Sequence, residues 1–105
     1  MRVMIKHIVA WNFIEGLSNA DKHVNAEKIK QELEGLKLLI PGIISMKVVT
    51  EPLKTGDFDF ILISEFESEE ALASYQTHKE HQRISQFGRS ILCNRKCIDF
   101  QMESE

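Results

Sequence analysis

The chain has 105 residues, 43% of them hydrophobic, with 13 basic and 16 acidic side chains and a formal charge of −3. That length suits one domain over residues 1–105 with a core over about 4–101, and the apolar share excludes disorder. The basic residues are scattered under a negative balance, which excludes a nucleic-acid-binding face, and no apolar run is long enough to cross a membrane.

Residues 3–13 alternate in a strand period, with Ile5, His7, Val9, Trp11 and Phe13 on one face and Met4, Lys6, Ile8, Ala10 and Asn12 on the other. No leader peptide is expected, because Lys6 and His7 interrupt the first apolar run. Ser18 has the chemistry of a helix cap. The helix behind it carries Ala26, Ile29, Leu33, Leu36 and Ile40 as one apolar stripe, which Pro41-Gly42 ends. His23 lies off the stripe and is expected in solvent. Residues 43–50 read as a second strand and 58–66 as a third. Ser68 caps a short helix with Glu69 and Glu70 in its first turn, where acids suit the helix dipole. Thr77-His78-Lys79-Glu80 has the form of a capping box, so this helix is expected to break near Thr77, with Thr77 capping a second piece. That piece presents His81, Ile84, Phe87, Gly88 and Ile91. A last strand is expected over 95–101, and the tail from Met102 to Glu105 is expected to be loose.

The order β-α-β-β-α-β is that of a ferredoxin-like α+β domain, a four-stranded antiparallel sheet with helices on one face. The other sheet face is not polar: Ile8, Ala10, Ile61 and Ile63 fall on it. Leaving such a face wet is unfavourable, so a homodimer joined sheet to sheet is expected.

Taken together, these segments resemble the stress-responsive A/B barrel domain family. The likeness rests on His7-Ile8-Val9, Ile40-Pro41-Gly42, Phe66-Glu67-Ser68, Tyr75-Gln76-Thr77-His78-Lys79-Glu80-His81 and Ile98-Asp99-Phe100. The resemblance implies a dimeric α+β barrel with a pocket between the sheet and helices of each subunit. It also implies a range of roles, from stress-induced proteins without known activity to a polyketide cyclase that closes a ring without a cofactor. The Tyr and His that act in such a cyclase match Tyr75 and His81, and a strand histidine of its pocket matches His7. A further pocket histidine falls at Phe60, and Lys79 stands where the family often has Pro.

The residues themselves allow the same chemistry. Tyr75 follows Ala71 and Leu72 at i+4 and i+3, and His81 precedes Ile84 and Gly88, so both face inward. His is poised near neutral pH to move a proton, and Tyr75 could hold a carbonyl or enolate oxygen. The competing reading is plain packing with satisfied polar tips. His7, Val9, Trp11, Phe60, Leu62, Ile84, Phe87 and Leu92 are the expected walls for a small carbonyl or aromatic ligand. His78, Glu80 and His81 fall short of a metal site for want of a third ligand of suitable geometry, and no cofactor motif is present. Arg95, Cys97 and Asp99 share one face of the last strand, where Arg95 meets either an anionic ligand or a neighbouring acid. Cys93 and Cys97 fit reduced thiols in a cytoplasmic protein. Three functions stay open: a small-molecule-binding protein, a cofactor-free cyclase, isomerase or lyase, and a purely structural dimer.

Overall fold

A computed structural model describes residues 2–104. The elements are β1 (Arg2–Phe13), α1 (Asn19–Gly35), a 3-10 turn (Leu36–Leu38), β2 (Ile43–Val49), β3 (Phe60–Phe66), α2 (Glu69–Thr77), α3 (Lys79–Gly88) and β4 (Leu92–Ser104). The strands form one antiparallel sheet in the order β2-β3-β1-β4. This is the ferredoxin-like arrangement, with β1 and β3 central and β4 on one edge.

Two caps match the sequence reading. Ser18 accepts a hydrogen bond from the Asp21 amide, and Ser68 accepts one from the Ala71 amide, both at 3.0 Å. The stripe of α1 is buried, but the α-helix stops at Gly35 and Ile40 is reached through the 3-10 turn, whose Leu36 carbonyl takes the Ile40 amide at 2.9 Å. Gly35 is a poor helix former at this end. Gly42 has φ +91°, and a Cβ there would come within 2.6 Å of the Ala71 side chain, so α2 rests directly on this turn.

The second helix is broken as expected, but at a different cap. Thr77 remains in α2, its hydroxyl donating to the carbonyls of Ala73 and Ser74 at 3.2 and 3.3 Å. His78 adopts the extended conformation (φ −64°, ψ 137°), and its Nδ1 accepts the Glu80 amide at 3.1 Å. A hydroxyl spent on its own helix cannot serve the next one, and the imidazole takes that place. α3 ends at Gly88, so Ile91 is buried in the turn beyond it rather than on the helix.

β3 begins at Phe60 rather than Phe58. β4 is much longer than residues 95–101: it starts at Leu92, and residues 102–104 are strand, not a loose tail. Its length is set by β1, which pairs with it from Phe13↔Leu92 to Arg2↔Ser104. Glu105 lies outside the described residues. Within this ladder Ala10 opposes Lys96 and Asn12 opposes Cys93, so Asn94 and Arg95 together face Trp11. The extra residue is a β-bulge, and Asn94 takes a positive φ of 54°, which Asn tolerates better than most residues.

Helices cover the sheet face that carries Ile5, Val9, Phe60, Leu62 and Phe66, all buried. On the opposite face Ile8, Ala10, Ile61 and Ile63 are half-buried in the single chain, and Ile98, Phe100 and Met102 of β4 are exposed. No helix among the described residues is long and apolar enough to cross a membrane.

Candidate functional site

A cavity of about 500 Å³ opens between the sheet and the helices. Its floor is the central part of the sheet: His7, Val9 and Trp11 of β1 with Phe60 and Leu62 of β3. Ile29 and Leu33 of α1, Tyr75 and Gln76 of α2, and His81, Ile84 and Gly88 of α3 form the roof. Leu92 and Arg95 of β4 lie at the edge-strand side, with Arg89 between α3 and β4. Phe87, expected on this wall, lies elsewhere. It packs against the core from outside, with the Lys28 Nζ 4.3 Å from its ring centre, because its position on α3 turns it toward α1.

Tyr75 is fully buried, and its ring is enclosed by three others. The centroid distances are 4.3 Å to His81, 4.9 Å to Phe66 and 6.3 Å to His7. Its hydroxyl is buried and has no hydrogen-bond partner among the described residues. Burial pushes its pKa well above the ordinary value, against the weaker opposing pull of Arg95, so the hydroxyl keeps its proton and stays a donor. An unpartnered buried donor is costly, and in a cavity wall it is a group awaiting an acceptor.

His81 is half-buried, and its Nδ1 lies 3.2 Å from the Gln76 carbonyl oxygen. A carbonyl only accepts, so Nδ1 carries the hydrogen and Nε2 of the neutral ring carries the lone pair. Burial lowers the His81 pKa. The Gln76 carbonyl opposes this, and His7, Arg95 and His78 reinforce it. The ring is therefore neutral and able to accept a proton at Nε2.

His7 is 2% exposed, and its Nδ1–H donates to the Asp99 carboxylate, the residue opposite it in the β1–β4 ladder. The Cys97 thiol stands 3.6 Å from the same nitrogen and donates to the second Asp99 oxygen at 3.4 Å. One ligand atom from each of His7, Cys97 and Asp99 lies within 4.8 Å of the others, so these three could converge on a metal ion. In the metal-free protein burial pushes the Cys97 thiol up, and Asp99 adds to the shift, so the sulfur keeps its proton and donates within the cluster. The three side chains form a hydrogen-bonded cluster with His7 buried and Cys97 and Asp99 exposed. Elsewhere, His78 and His81 spend Nδ1 on the Glu80 amide and Gln76 carbonyl, while Glu80 meets Arg83 at 3.3 Å.

The structure thus brings Tyr75, His81 and His7 to one cavity with Val9, Trp11, Phe60, Leu62, Ile84 and Leu92, and leaves Phe87 out. Residue patterns gave no sign of Arg89, which lies just past a helix end where periodicity stops. Asp99 was visible as a member of an alternating face and of the Ile98-Asp99-Phe100 segment, but its pairing with His7 joins residues 92 positions apart.

The family model for the stress responsive A/B barrel domain matches residues 5–102. Among curated proteins, none matches the chain. Among solved structures it is similar to a dimeric protein of unknown function with a ferredoxin-like fold from Bacteroides fragilis (25% identity, TM-score 0.87, covering 94% of this chain and 96% of that one). It is also similar to a dimeric ferredoxin-like protein of unknown function from Thermobifida fusca (19% identity, TM-score 0.79, covering 97% and 93%). The hydroxynitrile lyase of Passiflora edulis shares the fold at 13% identity, with a TM-score of 0.77 over 97% of this chain and 95% of that one.

Proposed function

The chain belongs to the stress responsive A/B barrel domain family, and from that premise we propose that it binds a small carbonyl compound in the cavity between sheet and helices. The observation that carries this reading is the buried Tyr75 hydroxyl, protonated and without a partner among the described residues, on the wall of a cavity of about 500 Å³ whose floor is mainly apolar. A ligand oxygen would satisfy that donor while its apolar part lies against Trp11, Phe60 and Leu62. A purely structural barrel has no need of such a space. Thermal-shift screening with aromatic and carbonyl compounds, repeated on Tyr75→Phe, tests the reading. Stabilisation of the native chain that falls away in the variant supports it, and equal stabilisation of both removes Tyr75 from it.

A second reading is favoured by the tautomer of His81. With Tyr75 holding a carbonyl oxygen, Nε2 of His81 could take a proton from the carbon beside it, giving an enolate at Tyr75 and an imidazolium at His81, and later return it. Such a step is the core of cofactor-free isomerase, cyclase or lyase chemistry. The shared fold of the Passiflora edulis lyase agrees with a catalytic use of this scaffold but does not assign one. Loss of turnover in His81→Ala with ligand binding kept would support it.

The working unit in this proposal is a homodimer. The half-buried Ile8, Ala10, Ile61 and Ile63, flanked by exposed Ile98 and Phe100, form a continuous apolar sheet face, and two similar structures are dimeric. Cys93 and Cys97 are exposed and, with the bulge between them, three ladder steps apart on one strand, about 10 Å by strand geometry. That is beyond disulfide reach, which fits a reducing, cytoplasmic setting.

A further inference from the structure

We infer that the ligand of this cavity is a monoanion, a carbonyl compound whose carboxylate is held at the cavity mouth by Arg95 and Arg89. The inference rests on the cavity being a ligand site and names the class of ligand. The chain as a whole is acidic, with 16 acidic against 13 basic residues. The cavity is not: its charged lining residues are Arg89 and Arg95, with no Asp or Glu beside them.

Among the described residues neither arginine is paired with a carboxylate. The carboxylate pairs among the described residues are Lys6–Glu65, His7–Asp99, Arg83–Glu32 and Arg83–Glu80. The acid nearest in sequence to Arg95 on the same strand face, Asp99, is engaged by His7 and Cys97 and lies outside the lining. Arg95 also stands at the bulge opposite Trp11, where the ladder places both it and Asn94 against one residue. Its positive field reaches Tyr75 and His81, so it belongs electrically to the same site.

The two arginines stand at the wet edge and the unpartnered Tyr75 hydroxyl in the dry interior. A ligand that spans them has a charged end, an apolar body and an inner carbonyl oxygen. A guanidinium suits a carboxylate, which it can hold through two parallel hydrogen bonds. A dianion such as a phosphate fits less well, because Arg89 caps the carbonyl end of α3, whose dipole opposes added negative charge.

The test compares 4-oxo-4-phenylbutanoate with its primary amide, which matches it in size and ketone but carries no charge, by titration calorimetry on the full chain. The acid should bind at least tenfold more tightly, and the gap should narrow as salt rises. Arg95→Gln combined with Arg89→Gln should remove most of the gap, with a much larger loss of affinity for the acid than for the amide. Both side chains are exposed, so the fold should survive, and a thermal melt checks it. Tyr75→Phe should weaken both compounds alike, which places them in this cavity. Equal affinities for acid and amide, or a gap that persists in the double variant, would overturn the anion inference and leave the binding reading standing. Failure of both compounds to bind would remove the two together.

Discussion

The rings of Tyr75 and His81 lie 4.3 Å apart although they are six positions apart in the chain. In an unbroken α-helix, six positions amount to about 240° of rotation and about 9 Å of rise, which would put the two side chains on different faces. The break at His78 removes that separation. It also leaves the last carbonyls of α2 without intrahelical partners, and His81 takes one of them, that of Gln76. One interruption thus brings the pair together and sets the tautomer of its histidine.

If the Tyr75 hydroxyl lacks a partner, removing it should not harm the apo protein. Tyr75→Phe is expected to melt at the same temperature as the native chain or higher, since an unsatisfied buried polar group costs roughly 1–3 kcal/mol. A clear fall in melting temperature without ligand would mean that the hydroxyl is already satisfied.

Burial holds the His81 pKa below 6.5, so the unfolded chain gains a proton before the folded one does. The associated stability is present above pH 6.5 and is lost as pH falls from there through the folded value. Urea denaturation between pH 8 and pH 5 should therefore show native stability declining more steeply than that of His81→Gln. Parallel curves would show that His81 titrates normally.

The cap reading separates two neighbours. His78→Ala should cost about 1 kcal/mol, the usual value for a lost N-cap, and His78→Asn should recover much of it. Thr77→Ala, at an exposed side chain bonded only within α2, should stay within about 0.5 kcal/mol. A larger loss at Thr77 than at His78 would reverse the assignment.

The open sheet face makes a concentration-dependent prediction. Ile61 and Ile63 are half-buried in the single chain, so a lysine there can reach water in a monomer but not in a sheet-to-sheet dimer. Light scattering should report a dimer for the native chain, and Ile61→Lys should dissociate it. Its melting temperature should be lower and no longer depend on protein concentration. A native chain that is monomeric at micromolar concentration would refute the dimer.

The fold was legible where local chemistry decides it. Ser18 and Ser68 announce their helices because a short hydroxyl at a helix start has one favourable use. The inward spacing of Ala71, Leu72 and Tyr75 likewise follows from helical period alone. Sequence reasoning failed where distant partners decide. The ends of β4 are fixed by β1, and as an edge strand with lysine, cysteine and aspartate its own pattern is weak. The cap at His78 was hidden because Thr77 has the better intrinsic chemistry, and only the structure shows its hydroxyl turned back into α2. In the cavity, Tyr75 and His81 could be placed on inner helix faces from spacing, whereas Arg89 and the His7–Asp99 pair depend on how the ends of elements meet.

The bulge at Asn94 and Arg95 also resets the parity of β4. Side chains three positions apart on a regular strand point to opposite faces, yet Leu92 and Arg95 both line the cavity, because one additional residue is absorbed between them. Deleting Asn94 would remove the bulge and leave Leu92 and Arg95 two positions apart, on one face by simple alternation, whereas drawing Asn94 into the regular ladder would turn one of them to the far side of the sheet. The composition of the cavity is therefore encoded partly in a residue count, since the bulge holds the apolar wall and the cation on one face across an odd number of steps.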